Sequence, residues 1–92
     1  MRGVTEVIDL AAARLEIPAF GLHGLPRLTL TGDRQMLVEQ HRGLKRYSAE
    51  EIVIALQKGS VRLTGKNLRL VAMDKEAVLI AGEIKSLEYL EN

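Results

Sequence analysis

Cysteine is absent from these 92 residues, and so is tryptophan; the aromatic side chains are Phe20, Tyr47 and Tyr89 alone. Without thiols there can be no disulfide framework, no thiolate metal site and no cysteine nucleophile. With so few rings, the core has to be built from Leu, Ile, Val and Ala. A chain reading single-stranded nucleic acid would also lack the stacking platforms that such binding uses. Charge of one sign is missing too. Thirteen Lys and Arg against twelve Asp and Glu leave a formal net charge of +1, far from the excess expected where phosphate neutralisation supplies the affinity. No apolar run approaches the roughly 18 residues that a membrane-spanning helix needs. The opening "MRGVTEVIDLAAARLEIP" carries Glu6 and Asp9 inside its apolar region, which reads poorly as a secretory signal. These absences lead to the expectation of a soluble cytoplasmic protein.

What is there fits one small globular domain, with 47% hydrophobic residues. A chain of this size buries about 60–65% of its unfolded surface, which makes self-association a natural support for stability. Val4, Val7, Ile8, Ala11, Ala12 and Leu15 recur at helical spacing, with Thr5, Glu6, Asp9, Arg14 and Glu16 largely opposite. The pattern predicts an amphipathic helix over residues 4–16, ended before Pro18 because the residue preceding proline is pushed out of the helical region. Its apolar stripe can dock on the protein's own sheet or on a partner or membrane surface. "IPAFGLHGLP" then forms a connector with Gly21, Gly24 and the chain's two prolines, and His23 reads as a loop residue. Residues 1–26 are thus helix and connector, and residues 27–92 the main domain.

From Leu28 onward the apolar period drops from 3.6 to 2. "RLTLTG", "VRLTG" and "VLIAG" each alternate and end in glycine, at Gly32, Gly65 and Gly82, and a further strand-like segment follows each. Strand, glycine turn and returning strand predict hairpins. The glycines lie 33 and 17 residues apart, suggesting a unit of 17 residues with one degenerate copy, although a simple run of hairpins explains the spacing equally well. "SAEE" at Ser48–Glu51 has the form of a helix capping box with Gly59 as a stop, but the β-branched run "IVIAL" favours strand, and residues 49–58 are read as strand. The expected fold is mainly β. A short N-terminal amphipathic helix precedes a meander of seven or eight short strands, forming a small two-layer sandwich or a partly closed roll.

No catalytic constellation emerges. Ser48, Ser60 and Ser86 lack a nucleophile elbow, and His23 and His41, 18 residues apart, have no metal-ligand spacing. The glycines are single punctuation marks, not a phosphate loop. Glu50 and Glu51 are sequence neighbours that a strand would point to opposite faces. The expectation is a protein that is not an enzyme and has no cofactor, metal or small-molecule substrate. One segment stands out: "VEQHRGLKRYS", Val38 to Ser48, gathers His41, Arg42, Lys45, Arg46 and Tyr47. It reads as a polar hairpin tip, with Gly43 closing the bend and with His41 and Arg42 left outside the core. Its bland role is to keep strands soluble. Its functional role is a protein contact, since Arg and Tyr anchor interfaces.

Taken together, "LPRLTLTG", "VEQHRGLKRYS", "GSVRLTGKNL" and "VLIAGEIKSLEYL" resemble the YabP/YqfC family of bacterial sporulation proteins, nearer its YqfC branch. Leu25-Pro26-Arg27-Leu28-Thr29-Leu30 looks like the family's opening. His41-Arg42-Gly43 with Tyr47-Ser48 is similar to its next motif, Gly65-Lys66-Asn67-Leu68 to its Gly-x-Asn-Leu turn, and Ile84-Lys85-Ser86-Leu87-Glu88-Tyr89 to its closing strand. The likeness runs collinearly over about residues 17–90. It implies a non-enzymatic protein of endospore-forming bacteria that acts late in spore development, when cortex and coat are built. It also implies a membrane protein of the sporulation pathway as partner, and a place in the mother-cell cytoplasm or peripherally at the forespore membrane. The leading expectation is therefore an adaptor whose partner contacts are His41, Arg42 and Tyr47. The alternatives are a self-assembling structural protein of the spore envelope, hence a homo-oligomer, and a nucleic-acid-binding regulator built on Arg42, Lys45 and Arg46.

Overall fold

The computed structural model describes residues 24–91, and the expected helix over 4–16, with His23, lies outside them. Six strands follow one another: β1 (Arg27–Thr31), β2 (Gln35–Glu39), β3 (Leu44–Tyr47), β4 (Glu51–Ala55), β5 (Ser60–Met73) and β6 (Ala77–Leu90). All neighbours are antiparallel, in the spatial order β1-β2-β6-β5-β4-β3. The mainly β expectation holds, and residues 49–58 contain strand as read. Two details are corrected. Among the described residues the sheet is a single open one, with β1 and β3 as its edges, and it is not a meander, because β2 and β3 are consecutive in sequence but stand at distant places in the sheet.

The strand count falls short for a physical reason. Gly65 and Gly82 do not end strands; they lie inside β5 and β6, each 14 residues long, and the hairpin between them turns at Asp74–Glu76. A Cβ on Gly65 would collide with the carbonyl of Glu83, and one on Gly82 would lie 2.6 Å from the carbonyl oxygen of Asn67. Glycine is required here for close backbone approach, not for a tight turn. Register shifts fall between Thr64 and Gly65, between Lys66 and Arg69 and between Leu70 and Ala72, and Asn67 takes a left-handed conformation at φ 54°. Bulges of this kind bend a strand and increase its twist. Of the expected glycine turns, only Gly32 is one, at φ 57° between β1 and β2.

The bend divides the sheet. One half holds β1, β2, the start of β6 and the end of β5; the other holds β3, β4, the start of β5 and the end of β6. Met36, Val38, Val78 and Ile80 from the first half join Ile52, Ile54, Val61 and Leu63 from the second in one core cluster, all eight fully buried. The bulge also restores the inward face. Val61 and Leu63 are buried at odd positions, while Leu68 is buried at an even one, because the extra residues shift the alternation. The long hairpin therefore serves both halves of one core. Its regular alternation made it look, in sequence, like four separate strands.

Candidate interaction surface

The site is built around the passage from β2 to β3. Glu39 ends β2 in the first half and Leu44 begins β3 in the second, so Gln40–Gly43 crosses between halves instead of closing a hairpin. Backbone bonds tie this crossing on both sides. Gln40 N donates to Glu76 O at 2.7 Å, Arg42 N to Ala55 O at 2.7 Å, and Ala55 N to Gly43 O at 2.8 Å. Gln40 adopts φ 64° and Gly43 φ 123° to make the path.

His41 is the latch of this crossing, and its expected exposure is corrected: it is 7% exposed. Its Nδ1 accepts the N–H of Gly43 at 3.0 Å, which leaves Nε2 as the protonated nitrogen, donating to the carbonyl of Asp74 at 2.8 Å. One ring thus joins the crossing to the β5–β6 turn. That turn is set by Asp74, whose carboxylate accepts the N–H groups of Glu76 and Ala77 at 2.8 Å each. These backbone hydrogen bonds, Glu76 first, hold the Asp74 carboxyl below the usual range. Sequence reasoning placed His41 outward because a polar residue beside glycine normally marks a tip. The signal it lacked was which distant backbone carbonyl the ring would meet.

Arg42 stays on the outside, as expected, and is exposed. Tyr47 is 49% exposed, yet its register opposite Ile52 turns it to the core face, and its hydroxyl accepts the N–H of Leu70 at 3.4 Å. It therefore reaches from β3 in one half to β5 in the other. The three residues expected to act together are separated by role: one buried latch, one outward cation and one half-exposed bridge.

A different group forms beside them. A register shift between Leu44 and Arg46 interrupts β3, so the consecutive residues Lys45 and Arg46 line the same shallow groove, with Glu51, Val53, Arg62 and Leu90. Lys45 Nζ donates to Ser60 Oγ at 3.2 Å, and Arg46 Nη1 to Glu51 Oε1 at 3.4 Å. Arg62 Nε lies 2.9 Å from Glu51 Oε2 with its N–H off that line, so charge attraction and not a hydrogen bond joins them. Arg62 Nη1 continues to Glu88 Oε1 at 3.6 Å. Alternating charges so cross β3, β4, β5 and β6, with Arg42 in the preceding loop. Glu51 is a member of this ladder and not an idle solvated charge. Ser48, in a segment with the form of a helix capping box but read as strand, accepts the N–H groups of Glu50 and Glu51 through Oγ, and this chemistry makes a strand-to-strand turn. Across the molecule, Leu37, Ala72, Met73, Ala77 and Leu79 line a second, more apolar groove.

Among the described residues no three His, Asp or Glu side chains converge as a metal-holding group, and no helix is long and apolar enough to cross a membrane. A family model described as the YabP family matches residues 24–92. An uncharacterized protein of Bacillus subtilis (strain 168), YqfC, is 36% identical over 78 residues, covering 85% of this chain and 84% of the relative. No solved structure matches the chain.

Proposed function

The chain belongs to the YabP family, and from that premise we propose that it is a non-enzymatic adaptor of sporulation. It acts in the mother cell late in spore development, at the cortex and coat stage, and sits peripherally at the forespore membrane by binding a membrane protein of the same pathway. The observation that carries this reading is the outward-facing polar surface built from one family-like motif. His41 fixes the crossing from inside, which presents Arg42, and the β3 bulge turns Lys45 and Arg46 together into an open groove.

The groove is shallow and partly self-neutralised by Glu51 and Glu88, which suits an extended polar segment of a protein more than a small molecule. A partner carboxylate would compete for Arg46 and Arg42, both exposed. Arg is suited to this because its fork pairs with carboxylates in two-point fashion. Tyr47, half exposed at the end of β3, borders the same strand. His41 takes part by holding the loop, and its contribution to partner binding is positional.

The test is capture of membrane proteins from detergent-solubilised membranes of sporulating cells by the tagged full-length chain. Wild type is expected to retain one pathway membrane protein, and the double variant Arg42→Ala with Arg46→Ala to lose it while keeping its unfolding midpoint. Equal retention by that variant, with fold intact, contradicts the assigned surface.

A further inference from the structure

The two halves of the sheet differ on the side turned away from the core. In the half that holds the polar groove, Glu51, Arg62, Thr64, Ser86 and Glu88 occupy that side, as expected of an antiparallel sheet with one face in water. In the other half the corresponding positions are mostly apolar. Leu37 of β2 stands opposite Leu79 of β6, and Leu79 opposite Ala72 of β5. Ala77 and Ala81 flank Leu79 on its own strand, and Thr29 of β1 completes the row beyond Leu37. Leu37, Ala72, Ala77 and Leu79 are the walls of the apolar groove. Charged residues stand at both ends of this face, Arg27 opposite Glu39 at one and Arg69 opposite Ala81 at the other. Among the described residues no element packs over it.

We propose that this apolar face is the docking site of the chain's own residues 4–16, packed on it as an amphipathic helix. Val4, Val7, Ile8, Ala11, Ala12 and Leu15 fall on one stripe of such a helix, with charged residues largely opposite. Three features select this occupant. The first is where the chain arrives. Arg27 opens β1 opposite Glu39, and Glu39 stands opposite Ala77 of the groove, so the segment preceding β1 joins the sheet at the groove's own end. The connector over residues 17–26 extends up to about 33 Å, whereas β6 lies only two strand spacings from β1, about 10 Å. The second is size. A helix over residues 4–16 is about 20 Å long and about 10 Å across. The face is four strands wide, roughly 14 Å between its outer strands, and its β1 and β2 run for five residues, roughly 17 Å. The third is the tether, which holds the stripe near the face at an effective concentration on the order of millimolar, a level that a second copy or another protein would have to exceed. The helix so placed supplies this half with a second layer and leaves the polar groove beside β3 open.

With no cysteine in the chain, a single introduced thiol reports whether the face is covered. In the full-length protein, Ala72→Cys is expected to react with a maleimide about tenfold or more slowly than Lys58→Cys, placed in the exposed turn between β4 and β5. Adding Ile8→Lys, which puts a charge into the stripe, should raise the Ala72→Cys rate by the same factor. It should leave the Lys58→Cys rate and the β-sheet circular dichroism unchanged. Leu15→Lys repeats the test at the other end of the stripe should Ile8→Lys fail to fold. Ala72→Cys reacting as fast as Lys58→Cys overturns the proposal, and so does a slow rate that the stripe variants do not change. Protection that fades on dilution would assign the face to a second copy, and protection that appears only with phosphatidylglycerol vesicles would assign it to a membrane surface. Either result overturns the proposal as well.

Discussion

His41 uses both ring nitrogens inside the protein, and this separates its role from that of Arg42 next to it. Removing the ring leaves the carbonyl of Asp74 and the N–H of Gly43 unmatched in a partly buried place. His41→Ala is therefore expected to lower the unfolding free energy by about 1–3 kcal/mol, read from a urea midpoint. Arg42→Ala, on an exposed side chain, is expected to stay within about 0.5 kcal/mol of wild type. Asp74 gives a pH dependence of known sign. Its folded pKa lies below its ordinary value because two backbone N–H groups favour the carboxylate. Its contribution is complete above the unfolded value, near 3.8, and is lost as pH falls through the lower folded one. Acid titration of stability should accordingly be shallower below pH 3.8 in Asp74→Ala than in wild type, with the variant already the less stable of the two at neutral pH. Parallel acid curves would show that the carboxylate does not set the turn.

At the scale of elements, the long β5–β6 hairpin decides the architecture, and it is also where the sequence was hardest to read. The period-2 alternation of Leu28–Leu30, Val61–Leu63 and Val78–Ile80 was legible, because a half-buried strand must alternate whatever its neighbours are. So was the strand character of "IVIAL", since three β-branched or bulky residues in a row outweighed a local capping signature. Gly65 and Gly82 were not legible. A glycine after alternating residues looks the same whether the chain reverses or whether another backbone passes too close for a Cβ, and only the second strand's position distinguishes the two. The same limit hid the bulge that turns Lys45 and Arg46 into one groove, and the distant carbonyl that draws His41 inward. Gly65→Ala and Gly82→Ala test this account of the bend. Each is expected to cost about 1–3 kcal/mol or more, because backbone atoms are the obstacle and cannot swing aside. Gly32→Asn, at a left-handed turn position with open space around it, should cost under about 1 kcal/mol. Thermal unfolding of the three variants side by side checks the ordering.

The described residues form an open sheet bent on itself, with one core shared between halves and one crossing that locks them. The polar groove beside β3 reaches across β4 and β5 to Leu90 of β6, and through Arg62 to Glu88. Partner capture should weaken moderately with salt, because the carboxylate contacts proposed for Arg42 and Arg46 are exposed and screened. The central claim is a sporulation role exerted through the Arg42–Arg46 surface. The measurement that tests it most directly is the yield of heat-resistant spores from a strain lacking this gene, complemented in turn by wild type and by the folded Arg42→Ala, Arg46→Ala variant. A sharp fall that wild type restores and the variant does not is the predicted result; an unchanged yield without the gene, or full rescue by the variant, would contradict it.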